Sequence, residues 1–420
     1  MPKQKHILQL AIAAIAAFSV YSCMVAFRKP FTAATFSGQA FLNVDYKIWL
    51  VVAQTLGYTL SKFYGIKFIS ELKSHQRARL IIVFICIAWL ALLAFALVPA
   101  PYNIFFLVVN GFPLGMLYGL VFSYLEGRRA TEVLGAVLAT SFIFAAGFSQ
   151  SIGKYVMVNW SVSEFWMPFI TGAIFFLPTI FFTWLLNQTP PPTAKDVEHR
   201  TARLPMTKEE RWALFKTFWP GLVLLIISYI MLSIVRDYRS NFASNIWTEL
   251  GKGDQVSLFT QTEVPASLVT LFLMSLLVLI KNNIRAFMVN HLLIIGGFVL
   301  SIIITYTYMQ GYTSAFWWMT LTGVGLYMGY VPFNAMLFDR MIASFKYVSN
   351  AGFIIYLADS FAYLGSDAVL IMKNFFNTDI KWSSFFEDLV LTVSTIGVVM
   401  VSLAAVYFKR KHAAFVKAQS

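Results

Sequence analysis

Three cations stand where a hydrophobic chain does not ordinarily keep them. Arg28 closes an apolar run that begins near Ile7, in Met24-Val25-Ala26-Phe27-Arg28-Lys29-Pro30-Phe31. Lys62 lies inside a second run, in Tyr58-Thr59-Leu60-Ser61-Lys62-Phe63-Tyr64-Gly65. Arg236 closes a third, far later in the chain, in Leu232-Ser233-Ile234-Val235-Arg236-Asp237-Tyr238. An arginine near the bilayer centre costs roughly 2.5–3.5 kcal/mol on insertion scales, so it is kept where it faces a water-filled cavity or an anion. A guanidinium fork makes two parallel charge-assisted bonds to phosphate or carboxylate oxygens, and a lysine adds a compact point charge. These types at these places point to an anion clamp of Arg28 and Arg236, with Lys62 as a third charge. Lys29, Glu263 and Asp359 are the accessory or coupling candidates, and Asp367 is a further acid within an apolar run.

Each has a plainer alternative. Arg28 with Lys29 also reads as an interfacial anchor whose charges snorkel to the headgroups. Arg236 reads as one half of a neutral pair with Asp237. Glu263 is either a partner for one of these cations or a proton-coupling carboxylate, and Asp359 and Asp367 divide the same way between structural pairing and function.

The elements that position these charges are spanning helices. Of the 420 residues 59% are hydrophobic and only 12% are charged, whereas a soluble domain carries about 25% charged residues. Mean hydropathy is +0.70. The composition predicts an all-α polytopic membrane protein. Twelve apolar runs approach the ~20 residues a bilayer requires: 7–27, 46–69, 79–98, 102–124, 132–156 and 165–187, then 213–236, 257–280, 285–309, 315–338, 347–372 and 385–408. The segment 188–212 separates two groups of six. It opens with Thr189-Pro190-Pro191-Pro192-Thr193 and continues with mixed charge, a composition suited to a linker. The predicted organisation is a six-helix half over 1–187, a central loop, and a second half over 213–420.

The net charge of +13 would suggest nucleic acid in a soluble protein, but its placement here reads as topology. With the N-terminus in the cytoplasm, twenty of the 32 Lys and Arg fall on the cytoplasmic side, eight fall opposite (Arg28, Lys29, Lys47, Lys154, Arg239, Lys252, Lys373 and Lys381), and Lys62, Lys67, Lys216 and Arg236 fall within spans. Both termini are therefore expected in the cytoplasm, in a cell membrane such as a bacterial inner membrane. The N-terminal apolar stretch, about 20 residues, exceeds the roughly 7–15 of a signal core and reads as a retained span. Cys23 and Cys86 lie in apolar runs without ligand spacing and read as packing residues. No HExxH, GxSxG or phosphate-loop motif occurs, so neither an enzyme nor an ATP-driven pump is expected, and no cofactor. The expected partners are a small anionic substrate, a coupling ion or counter-anion, and lipid.

Six and six spans around a basic central loop resemble the major facilitator layout, whose substrate lies near the midplane between two rocking halves. Gly65-Ile66-Lys67-Phe68-Ile69-Ser70-Glu71-Leu72-Lys73, with Arg77 and Arg79, resembles that superfamily's loop between spans two and three in degenerate form. Within it, Phe27-Arg28-Lys29-Pro30-Phe31, Ser61-Lys62-Phe63, and Tyr229 through Arg236 followed by Ile246-Trp247-Thr248-Glu249-Leu250 resemble the organophosphate:phosphate antiporters. The resemblance implies that Arg28 and Arg236 hold a phosphate with help from Lys62, while Lys29 and Glu263 match accessory positions. Two departures stand out. The glycerol-phosphate branch carries a histidine in span five, where this chain has Phe144 and its neighbours, and the acid expected after the span-seven arginine is replaced by Asn241. Two other functions fit the residues: a proton-coupled transporter of a neutral or amphipathic solute using Glu263 or Asp359, and a receptor built on a transporter fold.

Overall fold

The computed structural model describes residues 2–70, 74–125, 131–190, 207–347, 351–376 and 380–418. The stretch Glu71-Leu72-Lys73, the pair Arg128 and Arg129, and residues 191–206 of the central loop lie outside the described residues. Thirteen α-helices occur among those described: α1 Pro2–Val25, α2 Tyr46–Ser70, α3 Arg77–Leu97, α4 Ile104–Phe122, α5 Thr131–Asn159, α6 Met167–Asn187, α7 Lys208–Glu249, α8 Leu258–Val278, α9 Asn283–Met309, α10 Ala315–Ala335, α11 Leu337–Ser344, α12 Ala351–Phe376 and α13 Trp382–Lys417. By length and composition nine of the described helices suffice to cross a membrane, and α2, α10, α11 and α12 fall outside that set. Large apolar side chains such as Leu90, Phe105, Leu177, Trp184, Phe272 and Leu292 face outward, which suits lipid and not water.

The helices form two compact units. The first comprises Met1–Arg200, Tyr238–Val264 and Asp367–Ser383. Within it α1 packs on α4, α5 and α6, α3 packs on α4 and α6, and α2 lies along α4. The α2–α4 approach depends on missing side chains. A Cβ on Gly57 would overlap the Val108 carbonyl, and one on Gly111 would overlap the Gln54 carbonyl. Such small-residue contacts let membrane helices approach backbone to backbone. Gly111→Val is accordingly expected to lower the thermal midpoint, with overpacking costing about 1–3 kcal/mol; an unchanged midpoint would mean that α2 and α4 can separate freely.

After α1 a 3-10 turn, Pro30–Ala33, packs against α5 and α6. A short hairpin follows, with β1 (Ala40–Phe41) antiparallel to β2 (Val44–Asp45) and Ala40 opposite Asp45. Glu164 caps the loop before it, its Oε1 accepting from the backbone N–H of Thr35 at 3.0 Å and of Phe36 at 3.1 Å.

The second unit comprises Thr201–Asp237, Pro265–Ser366 and Ser384–Ser420. Here α9 packs on α10 and α11. Gly297 and Gly325 face each other across α9 and α10, each so placed that an added Cβ would meet the other's carbonyl oxygen. Phe218, Phe345 and Phe408 gather α7 and α13 around one aromatic cluster. His291 is buried beside Phe287, with Nδ1 2.8 Å from that residue's carbonyl oxygen, and serves the helix α9 backbone.

Candidate functional site

Arg28 does not sit in a helix. α1 ends at Val25, and its last turn tightens: the N–H groups of Ala26, Phe27 and Arg28 bond three residues back, to Cys23, Met24 and Val25. Pro30 has no N–H to continue the ladder. The carbonyls so released are taken up by side chains of other helices. Asn110 Nδ2 on α4 donates to Phe27 O at 3.0 Å, and Gln54 Nε2 on α2 donates to Arg28 O at 2.9 Å. The Arg28 guanidinium carbon lies 3.9 Å from the Tyr58 ring centroid, and Lys62 Nζ lies 5.4 Å from the same centroid. The first unit thus gathers Arg28 and Lys62 at one aromatic ring, which attracts cations through its quadrupole.

The second unit has a parallel arrangement around Arg236. Its guanidinium carbon lies 4.3 Å from the Tyr330 centroid, and Nη2 meets Asp237 Oδ1 at 2.8 Å. Ser366 Oγ donates to the other carboxylate oxygen of Asp237 at 2.9 Å. Tyr330 leads on to the acid of α12. Tyr229 Oη donates to Asp359 Oδ1, lies 3.1 Å from Tyr330 Oη and accepts from Asn334 Nδ2 at 3.1 Å.

A third polar group lies in the first unit, where the end of α7 meets the turn after α1. Lys47 is fully buried, and its Nζ donates to Thr32 O (2.9 Å), Ala34 O (2.7 Å) and Asn245 Oδ1 (2.7 Å). Lys29 Nζ donates to Asn241 Oδ1, and Ser244 Oγ donates to Ala33 O at 2.7 Å. Gln150 Nε2 bridges Thr32 Oγ1 and Ser240 O, each at 2.6 Å. Beside this seam Arg239 and Glu263 form a buried ion pair, and Gly147 of α5 leaves the room that the Glu263 side chain occupies. Burial raises the carboxyl of Asp45, just before α2, above its ordinary range, while its Oδ1 accepts the Lys47 N–H.

A family model matches residues 30–411, which is most of the chain and takes in Lys62, Arg236, Glu263 and Asp359 while starting just after Arg28 and Lys29. The chain belongs to the DUF5690 family, a family of unknown function. No curated protein matches it in sequence. Solved structures do match in fold. A bacterial homologue of the human lysosomal transporter Spinster, crystallised inward-facing and unoccupied, aligns with a TM-score of 0.61 at 13% identity over 97% of this chain and 98% of its own. A D-xylose–proton symporter aligns at 0.59 and 12% identity, covering 96% and 97%. A POT family transporter in complex with a thioalcohol-conjugated peptide aligns at 0.62 and 12% identity, covering 96% of each chain. This DUF5690 member therefore shares the all-α, multi-pass major facilitator fold of these neighbours.

Several sequence expectations for this DUF5690 member change in detail. The run at 213–236 continues as helix to Glu249, so Arg236 sits inside α7 and does not close it. The extension was hidden because residues 237–249 are polar, yet Arg239, Ser240, Asn241, Ser244 and Asn245 are buried in the first unit. α1 ends at Val25, before Pro30, whereas α8 continues through Pro265. Glu263 pairs with Arg239, a cation that the sequence assigned to an outer loop. Lys47, assigned likewise, is buried. Nothing in their residue type marks Tyr58 and Tyr330, the rings that face the two arginines, as site residues. Gln54, Tyr58 and Lys62 recur at every fourth residue of α2, a spacing that puts them on one helical face. That is the signal by which the first of these clusters could have been found.

Proposed function

We propose that the chain is a secondary active transporter of a small organic anion, with a phosphorylated solute the leading class and exchange against a counter-anion the leading mode. The reading takes Arg28 and Arg236 as the anion-binding arginines, Lys62 as a third charge and Lys29 as an accessory. The observation that carries it is the gathering of Arg28 and Lys62 on the Tyr58 ring. A guanidinium fork and an ammonium at one ring are the donor types that suit a phosphate or carboxylate. The resemblance of the arginine stretches to organophosphate:phosphate antiporters supports the same class. In this reading all twelve apolar runs span the membrane in halves over 1–187 and 213–420, joined by 188–212, with both termini cytoplasmic in a bacterial inner membrane. Proteoliposomes loaded with phosphate, a phosphate monoester or a dicarboxylate test it. Exchange of labelled external anion is expected with at least one. Binding without exchange would favour the receptor reading.

The polar seam at the end of α7 fits a contact that must open and close during transport. Lys47 meets the neutral amide of Asn245 there, and an amide is a weaker partner for an ammonium than a carboxylate is. Asn245→Asp is expected to hold the seam shut and slow exchange about tenfold, which is about 1.4 kcal/mol on the barrier, while phosphate binding in detergent is unchanged. Exchange at the native rate would show that this seam does not move.

A second reading, proton coupling, has its own observation: Asp359 is tied through Tyr229 to Tyr330, the ring under Arg236. If Asp359 carries a proton, Asp359→Asn abolishes uptake driven by a pH gradient and leaves anion exchange intact. Loss of both would assign Asp359 to the binding or packing of α12.

A further inference from the structure

The turn that carries Arg28 has left the helix, so the usual ladder does not hold its backbone. Two buried amides hold it instead. Gln54 is 4% exposed and Asn110 is not exposed at all. Both N–H groups of Gln54 are committed, one to Arg28 O at 2.9 Å and one to Asn110 Oδ1 at 2.7 Å. Both N–H groups of Asn110 are committed too, one to Phe27 O at 3.0 Å and one to Ala88 O of α3 at 2.9 Å. A carboxamide offers two donors and one acceptor oxygen, and this pair is used in full on the donor side. Irregular backbone at membrane depth persists only where protein groups satisfy it. Here the satisfying groups tie the Phe27–Arg28 backbone to α2, α3 and α4 at once.

The same face of α2 then reaches along the arginine. Gln54 holds its carbonyl, Tyr58 one turn on lies against its guanidinium at 3.9 Å, and Lys62 one turn further lies 5.4 Å from that ring. Gly111 lets α2 and α4 approach closely enough for the two amides to meet, since any Cβ there would overlap Gln54 O. We infer that Gln54 and Asn110 are positioning residues for Arg28: they set the direction in which its guanidinium is presented to the anion, without touching the anion themselves. This rests on the anion-transporter reading above. A guanidinium fork works by direction, because both of its parallel bonds must reach one oxyanion. Groups that fix its root therefore govern affinity as well as folding.

The test compares inorganic phosphate and glycerol phosphate affinity, by calorimetry on the detergent-purified full chain, with thermal midpoint. Gln54→Met and Asn110→Leu remove the donors. Asn103→Leu is the control: Asn103 is another fully buried amide of the first unit, donating to Phe95 O and accepting from Tyr46 Oη, neither of which belongs to the Arg28 turn. A merely structural amide lowers the midpoint and leaves affinity alone. The expected result is a loss of affinity of about tenfold or more for the Gln54 and Asn110 variants, with Asn103→Leu binding as the native chain does at a comparable drop in midpoint. Gln54→Glu, which keeps the size and loses the donor, replaces Gln54→Met if that variant does not fold. Native-like affinity in the Gln54 and Asn110 variants, or an equal loss in Asn103→Leu, overturns the positioning role while leaving the transporter reading in place. If the native chain itself binds neither anion, the transporter reading fails and this role with it.

Discussion

Arg28→Ala and Arg236→Ala are each expected to remove most of the stabilisation that phosphate or a phosphate ester gives the folded chain. A ligand that binds only the native state stabilises it by about 2.7 kcal/mol at a hundred times its Kd. Truncating one partner of a desolvated charge pair costs about 2–5 kcal/mol, or roughly thirtyfold and upward in Kd. At the same ligand concentration the weakest such loss leaves under about 1 kcal/mol of stabilisation, which is a small shift in midpoint. Arg28→Lys is expected to behave more like the alanine variant than the native chain, because a lysine keeps the charge and loses the fork. It would also exchange the planar group that lies 3.9 Å from the Tyr58 centroid for a rounder one. The paired expectation for Arg236 has an added element. Asp237 holds its guanidinium at 2.8 Å, so Asp237→Asn removes a competitor and is expected to tighten anion binding. If Arg28→Ala and Arg236→Ala respond to phosphate as the native chain does, the two arginines are anchors, and the search moves to Glu263 and Asp359.

The second large effect is on stability. Arg239→Met removes the guanidinium from Glu263, whose carboxylate is buried between α8 and α5. Breaking a buried pair from one side costs about 3–5 kcal/mol, whereas replacing both members with apolar residues of similar volume is often neutral or better. The expected order of thermal midpoints is therefore native, then Arg239→Met/Glu263→Leu close behind, then Arg239→Met far below. A double-mutant cycle reads the coupling directly. The same double variant separates two roles for Glu263. If the glutamate is a partner for Arg239 only, the double variant still exchanges anion. If it couples protons, exchange is lost although the chain is folded. A single Arg239→Met variant as stable as the native chain would show that Glu263 is protonated or rehydrated at little cost.

How far the sequence reaches into this molecule depends on which contacts are local. The apolar runs are read along the chain, and the described helices overlap them, nine being long and apolar enough to cross a membrane. The end of α1 was legible too, since the first apolar run closes at Arg28 and α1 ends at Val25. The end of α7 was not, because Asn241, Ser244 and Asn245 look like a solvated loop until the turn after α1 covers them. Lys47 shows the same limit more sharply. In sequence it is one of the cations opposite the cytoplasm; in the fold its three donors are used up on Thr32 O, Ala34 O and Asn245. The site divides in the same way. Arg28, Lys62 and Arg236 were found because a charge in an apolar run carries its own warning. Tyr58, Tyr330 and Arg239 carried none, since a tyrosine in a membrane helix is ordinary and the partner of Glu263 is a tertiary fact.

Anion exchange in proteoliposomes tests the central claim most directly. Vesicles loaded with unlabelled phosphate receive labelled phosphate outside, with native protein, Arg28→Ala and Arg236→Ala run side by side at one pH and no imposed potential. The account predicts accumulation of label by the native chain, dependent on internal phosphate, and none by either variant. Label that enters equally in all three, or in none while a proton gradient drives a neutral solute, contradicts it.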